Sequence, residues 1–235
     1  MQSILRLMTD YNEQVAYHYS AYRPPLHQRI LQEVLGGMRF QCGLDLGCGT
    51  GRSTMALKSY CDEVCGVEPS PEMLAHAKPQ PGVTFLTGSA EQIPCRPDSF
   101  DVITMAGCLF YADRPSTAAE VARVGRSDAL VVVYDFEIEM GQLMEKLCPG
   151  WVPPSSDYDH AVRFHEPEFL TVSDTRRVEA DMAFRSLEMV HLLFSNHQRF
   201  VALDCSEEAL EARLEEGDFA GPLPVRLYWS TYTVA

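Results

Sequence analysis

The chain has 235 residues, 46% hydrophobic and 22% charged, which is enough apolar material for one sizeable core and too much for a disordered segment. Asp and Glu number 33 against 19 Lys and Arg, and the net charge of −14 disfavours the basic footprint of a nucleic-acid binder, leaving a small molecule or a neutral-to-basic partner as the expectation. The longest strongly apolar run, "ALVVVY" at 129–134, is far below the roughly 20 residues of a membrane span, and the apolar stretch in "MQSILRLMTDYNEQ" is too short for a signal peptide, so no membrane partner and a cytoplasmic location are expected.

Residues 11–22, "YNEQVAYHYSAY", read as a helix stopped by the prolines of "RPP", since proline cannot continue a helix interior. "LHQRILQEVL" at 26–35 aligns Leu26, Ile30, Leu31, Val34 and Leu35 on one helical face, and Gly36-Gly37 ends it. "CGLDLG" at 42–47 is a short buried strand entering a glycine turn, and "RSTMALKSY" at 52–60 is the helix after it. "EVCGVE" at 63–68 is a second strand, and "SPEMLAHAK" at 70–78 opens a helix with Ser70 as cap and Pro71 in the first turn. "GVTFLTG" at 82–88 and "FDVITMAG" at 100–107 are strands, "PSTAAEVARV" at 115–124 is a helix, and "ALVVVYDFE" at 129–137 is a fifth strand. Strands alternating with helices predict right-handed βαβ units and a parallel sheet, and strands apolar throughout predict burial on both faces.

After residue 138 the rhythm breaks. Residues 140–172 read as helical pieces that cover the mouth of the sheet, "RVEADMAFRS" at 177–186 as a sixth strand, and "LEMVHLLFSNHQRF" at 187–200 as one amphipathic helix. "SEEALEARLEE" at 206–216 is a charged surface helix and "PVRLYWSTYTVA" at 224–235 an edge strand. No linker divides the chain, so one domain is expected: a helical cap over 1–37, a ligand-binding core over 38–137, a helical insertion over about 138–175, and strands and helices over about 176–235 that complete the sheet. The eight cysteines lack metal-site spacing and read as reduced thiols, with no metal expected. The only basic doublet, Arg176-Arg177, reads as solvated surface.

The chemistry lies in "LDLGCGTG" at 44–51, whose spacing is G-x-G-x-G rather than the G-x-G-x-x-G of dinucleotide folds. Asp45 precedes the glycines, and a carboxylate there repels a pyrophosphate while attracting an ammonium or sulfonium group. Glu68 ends the neighbouring strand, 17 positions after Gly51, where a carboxylate accepts bonds from ribose hydroxyls; the alternative is an exposed loop acid. A nucleoside with a cationic amino-acid tail, such as S-adenosylmethionine, suits the loop better than a phosphate.

In order and spacing, "LDLGCGTG", "GVEPSPEML", "GSAEQIPCRPDSFDVITMAGCLFYAD" and "ALVVVYDF" resemble the class I S-adenosylmethionine-dependent methyltransferases over residues 40–137, most closely the small-molecule subgroup similar to ubiquinone and menaquinone biosynthesis enzymes. The resemblance implies an α/β, doubly wound, mostly parallel seven-stranded Rossmann-like sheet with an antiparallel final strand, N-terminal helices and a helical insertion after strand 5. It places Asp45, Gly47 and Gly49 against the methionine part, with Cys48 and Gly51 in the same loop, and Glu68 on the ribose. Pro69 and Met73 flank the adenine, Ser89, Ala90 and Glu91 meet its edge, and Ala106 and Gly107 stand beside the sulfonium. Upstream, "YSAYRPP" resembles the N-terminal segment of methyltransferases like the trans-aconitate enzyme, which implies a bond from Arg23, with Tyr19 beside it, to the methionine carboxylate; the alternative is packing on the sheet edge with Arg23 in solvent.

Two departures stand out. Related enzymes often carry a histidine and a tryptophan after the fourth strand, where this chain has Phe110 and Tyr111, and "RVGRSDA" replaces the usual proline-glycine pair, which reads as a different turn. Candidate bases are therefore Tyr111 and Asp135 near strand ends and His160 and His165 in the insertion, each with a plainer reading as wall, cap or surface residue. Trp151, Tyr158 and Phe164 either line an acceptor pocket or form the insertion's own core. The expected function is methyl transfer from S-adenosylmethionine to a small organic acceptor; the alternatives are a catalytically silent cofactor-binding partner protein and, more remotely, an NAD(P)-dependent oxidoreductase. The acceptor and the oligomeric state are not legible.

Overall fold

A computed structural model describes residues 15, 17, 18, 21, 22, 24–153, 155–217 and 221–235. Its strands are β1 (Phe40–Leu46), β2 (Cys61–Glu68), β3 (Val83–Thr87), β4 (Phe100–Ala106), β5 (Gly125–Ile138), β6 (Leu170–Met182) and β7 (Leu223–Val234). Its helices are α1 (Leu26–Leu35), α2 (Arg52–Lys58), α3 (Pro71–Leu74), α4 (Arg114–Val124), α5 (Gly141–Leu147), α6 (Ser186–Phe194), α7 (His197–Leu203) and α8 (Glu207–Glu216), with a 3-10 turn at Leu109–Tyr111. The strands form one seven-stranded sheet in the order β3-β2-β1-β4-β5-β7-β6, parallel from β3 to β5 and antiparallel through β7 and β6.

The chain parts into two compact units. The larger comprises Pro25–Phe136, Tyr158–Val178 and Leu227–Ala235. In it Leu44, Leu46, Ile103, Met105, Val131 and Val133 are buried, as continuous apolar strands require, and α4 packs Ala118, Val121 and Val124 against them. α4 begins where Asp113 accepts a bond from the Ser116 amide (3.2 Å). β1 lies between β2, to one side, and β4, to the other, so the strand order reverses at the β1/β4 pair, where open α/β sheets leave a crevice at their carboxyl ends. The smaller unit contains Glu137–Asp157 and Glu179–Arg226, and its core joins Leu143, Met144 and Leu147 of α5 to Val190, Leu193 and Phe194 of α6. There His18 Nδ1 and His191 Nδ1 meet at 2.9 Å in a buried pair that shares a single proton.

Four boundaries differ from the sequence reading. β6 starts at Leu170 instead of 177, inside the expected insertion, whose helix among the described residues is α5; most of β6 is exposed and carries no apolar alternation to announce it. The expected helix at 187–200 is two, because Asn196 accepts a bond from the Arg199 amide (3.1 Å) and caps a new start. α3 spans four residues rather than reaching Lys78. "RVGRSDA" is the irregular beginning of β5 rather than a turn before it: Phe100 faces Gly125 while Val102 faces Leu130, and Asp128 takes φ 63° to absorb the extra residues.

Candidate functional site

The glycine turn joins β1 to α2. Gly47, Gly49 and Gly51 take φ of 66°, 54° and 84°, the left-handed region that L side chains disfavour. The Gly47 and Cys48 amides both donate to the Val67 carbonyl (2.8 and 3.1 Å), which ties the turn to β2. A Cβ on Gly47 would lie 2.5 Å from Cys108 Cβ, so the turn also lies against the chain leaving β4.

Asp45 is fully buried. Its Oδ2 accepts from Ser53 Oγ (2.6 Å) and Thr54 Oγ1 (2.7 Å), and its Oδ1 from Thr104 Oγ1 (2.9 Å). The carboxyl therefore braces the turn from below, joining β1, α2 and β4. Burial outweighs the three hydroxyls and raises its pKa to about 6 from an ordinary 3.8. A carboxyl with a raised native pKa stabilises the fold below its unfolded pKa, and that contribution is lost as pH rises through about 6. Asp45→Asn, which keeps the shape and removes the charge, is expected to gain stability relative to the parent between pH 4 and 6.5, by on the order of 3 kcal/mol, and to hold that gain above. Urea unfolding across that range checks it; a constant difference at every pH would show that the buried charge carries no such cost.

Glu68, at the tip of β2, faces the turn. Its Oε2 accepts from the Gly49 amide (3.0 Å) and its Oε1 from the Ser70 amide (3.1 Å), and the side chain is half-buried. Each carboxylate oxygen uses one lone pair on backbone and keeps another for a ligand. Ser70 caps α3 through the Met73 amide (3.2 Å), and Met73 Cε stands 3.3 Å from where a Gly49 Cβ would be. Pro69 is exposed beside it. Ser89, Ala90 and Glu91 follow β3 in a turn closed by a Ser89–Gln92 bridge; the Gly88 amide donates to the Glu68 carbonyl (3.2 Å), and Glu91 accepts from the Asp113 amide (2.9 Å). Cys48 joins the loop through its backbone only: its thiol is buried near Gly66, and burial pushes it far above the ordinary range. All eight cysteines are free, and burial raises Cys61 and Cys65 to about 12.

A second cluster forms at the tips of β4 and β5. Asp135 Oδ2 accepts from Tyr158 Oη and from His160 Nδ1, both at 2.8 Å, and Oδ1 from the Phe136 amide (2.7 Å). Tyr158 Oη also reaches the Gly107 carbonyl (2.9 Å), so its one hydrogen is shared between two acceptors. Burial, with Asp135 beside it, pushes the Tyr158 hydroxyl far above the ordinary range, making it a donor and not a base. Gly107 (φ 65°) sits 3.1 Å, by its absent Cβ, from Asp135 Oδ1. A cavity of about 360 Å³ opens here, with Gly107, Tyr134, Asp135, His160, Arg177 and Tyr228 in its wall.

Of the candidate bases, Asp135 and His160 are thus brought together. Tyr111 is exposed, its ring 5.6 Å from that of Tyr158. His165 does not join them: it is exposed on the segment before β6, where its amide donates to Glu166 (2.6 Å). Phe164 is a core residue against Tyr232, and Trp151 packs in the smaller unit. Tyr19 and Arg23 lie outside the described residues. Sequence reasoning missed Ser53, Thr54 and Thr104; the hydroxyls of "RST" after the turn were the available signal for the first two. Among the described residues no group of three metal-ligating side chains occurs, and no helix is long and apolar enough to cross a membrane.

Residues 44–133 match the family model described as a methyltransferase domain. The chain is 28% identical over 124 residues to CRG1 of Saccharomyces cerevisiae, assigned as an S-adenosylmethionine-dependent methyltransferase, covering 47% of this chain and 42% of that protein. It is 28% identical over 148 residues to the demethylmenaquinone methyltransferase of Beutenbergia cavernae, covering 62% of this chain and 56% of that protein. The chain thus spans less than two thirds of the length of either relative. The structure of a proposed type II methyltransferase from Anaeromyxobacter dehalogenans superimposes with a TM-score of 0.60 at 20% identity, covering 90% of this chain and 97% of that one.

Proposed function

We propose that this chain, whose core has the domain and Rossmann-like fold of the class I S-adenosylmethionine-dependent methyltransferases, moves a methyl group from S-adenosylmethionine to a small organic acceptor. The observation that carries this reading is Glu68, a half-buried carboxylate fixed by the Gly49 and Ser70 amides with capacity left on both oxygens. Two vicinal ribose hydroxyls need such a bidentate acceptor. The residues fit an adenosyl compound: Met73 offers an apolar face next to the bare Gly49, and the Ser89–Glu91 turn brings polar groups beside the tip of β2. Ala106 and Gly107 adjoin the transferred methyl, and the cavity by Asp135 takes the acceptor. The acidic balance of the chain agrees with a small acceptor rather than a nucleic acid.

Thermal unfolding with S-adenosylmethionine, S-adenosylhomocysteine, NADH and NADPH tests the reading. A ligand at 100 times its Kd stabilises a fold by about 2.7 kcal/mol, a rise of roughly 5–10 °C for a chain of this size. The two adenosyl compounds are expected to give it. A response to the nicotinamide compounds alone would replace this reading with a dehydrogenase, and binding without transfer of labelled methyl into a metabolite extract would leave a silent binder.

A further inference from the structure

The smaller unit holds two titratable rings that the site described above does not use. His18 lies in the segment before α1 and His191 within α6, and both are buried, at 2% and 8% exposure. Their Nδ1 atoms meet at 2.9 Å. His18 Nε2 faces Glu207 Oε1, at the start of α8, across 3.5 Å. That carboxylate sets the tautomers. It calls for a hydrogen on His18 Nε2, so neutral His18 accepts at Nδ1 and His191 donates from its own Nδ1. Rings close the space around His18: Phe194 of α6 at 5.0 Å, Tyr17 at 5.1 Å and Phe200 of α7 at 6.5 Å. Val15 is fully buried, and Tyr22 packs on the core of the unit with its hydroxyl bonded to Glu188 of α6. The charged and titratable groups around the pair are therefore Glu207 of α8, Tyr17 and Tyr22 of the same segment, and Glu188 of α6 with its partner Arg185 (2.7 Å). To these α7 adds Arg199, which donates to the Leu192 and Leu193 carbonyls (3.0 and 3.3 Å).

We propose that this pair is an acid-released latch, which holds the chain around His18 on α6 at neutral pH and lets it go when both rings are charged. One added proton is accommodated: it goes to His191 Nε2 and leaves the central N–H···N bond in place. A second must go to His18 Nδ1, and two N–H groups then point at each other across 2.9 Å in a buried space. The contact opens instead. Burial, the largest influence, and the neighbouring His191 hold the His18 ring below its ordinary 6.5, against the pull of Glu207. Once released, both rings titrate near that ordinary value. Below about pH 6.5 the open chain therefore binds more protons than the closed one. The latch is at full strength above that pH and weakens as pH falls, its closing constant dropping about 10-fold per unit for each extra proton. Glu188 stays charged through this window: burial raises its pKa, but the bonds from Arg185 outweigh burial and hold it below the ordinary carboxylate range. The bond from Tyr22 to Glu188 is thus not what responds. Two leucines would fill the same space without any response to pH. The proposal is independent of the methyl-transfer reading.

The test follows amide hydrogen exchange of the whole chain between about pH 5 and pH 8, as protection factors corrected for the intrinsic exchange rate. In the peptide covering residues 15–22, protection is expected to stay level above about pH 7 and to fall about 10-fold from pH 6 to pH 5, while β1 and β4 show no such fall. Nitrogen-15 spectra of the two imidazoles at about pH 7.5 are expected to show hydrogen on Nδ1 of His191 and on Nε2 of His18. In His191→Leu the remaining ring is free to charge beside Glu207, so the fall in acid is expected to vanish. His18→Leu combined with His191→Leu removes both titrating rings and is expected to give a level profile even where the single variant loosens the segment at every pH. A fall of the parent's size in either variant overturns the proposal, as does a level profile in the parent. So does a parent in which both imidazoles charge near their ordinary pKa while the 15–22 peptide keeps its protection, a result that needs no variant to fold.

Discussion

Glu68→Gln is expected to lower affinity for S-adenosylhomocysteine by about 100-fold while leaving the fold intact, a loss of roughly 3 kcal/mol. The carboxylate has four accepting positions, and the Gly49 and Ser70 amides take two of them. An amide in its place turns two acceptors into a donor. Whichever way the glutamine faces, its NH2 points at either the Gly49 or the Ser70 amide, so one backbone bond is lost along with part of the ribose pair. Bonds to a charged acceptor contribute about 1.5–3 kcal/mol each, and one or two of them account for the expected drop. The folded state should lose about 1 kcal/mol or less, because the side chain is half-buried and water can reach the orphaned amide. Calorimetric titration beside urea unfolding separates the two quantities. Affinity within a factor of three of the parent would mean that the ribose lies elsewhere, and a large fall in stability would mean that Glu68 is a brace of the turn before it is a ligand contact.

The glycine turn, its strand and Glu68 were legible because each leaves a local mark: three glycines at alternate positions, an apolar run before them, and an acid at the end of the next apolar run. The hydroxyl partners of Asp45 were not, because Thr104, which shares its carboxyl, lies 59 residues away and comes opposite it only through the β1/β4 register. The same holds at the second cluster. Asp135 and His160 were each candidates, but 25 residues of irregular spacing join them, and nothing in either neighbourhood announces the other. Arg177 is exposed, as the reading of the doublet as solvated surface expects. His165 stands apart from that cluster, exposed in an irregular segment where no periodicity says which way a side chain points.

Gly47→Ala is expected to cost about 3–5 kcal/mol of stability and to abolish donor binding, and a second substitution shows why the two losses go together. The position combines two separable constraints. Its φ of 66° costs an L residue about 1–2 kcal/mol. Its Cβ would stand 2.5 Å from Cys108 Cβ, an overlap no rotamer relieves, because the clashing atom is itself attached to backbone. Overpacking of this kind costs about 1–3 kcal/mol more. Relief requires the chain after β4 to move, and that chain holds Gly107, whose carbonyl accepts from Tyr158 and where an added Cβ would stand 3.1 Å from Asp135 Oδ1. A methyl group added to the donor loop is therefore expected to disturb the acceptor cluster as well. Cys108→Gly removes the clashing Cβ and leaves the backbone cost at position 47. In a double-mutant cycle followed by urea unfolding, Gly47→Ala with Cys108→Gly should recover about 1–3 kcal/mol of the single-variant loss, and no more, since the left-handed alanine persists. Full additivity would mean that the two chains are not in contact at this point, and the turn and the β4 exit would then have to be treated as independent parts of the site.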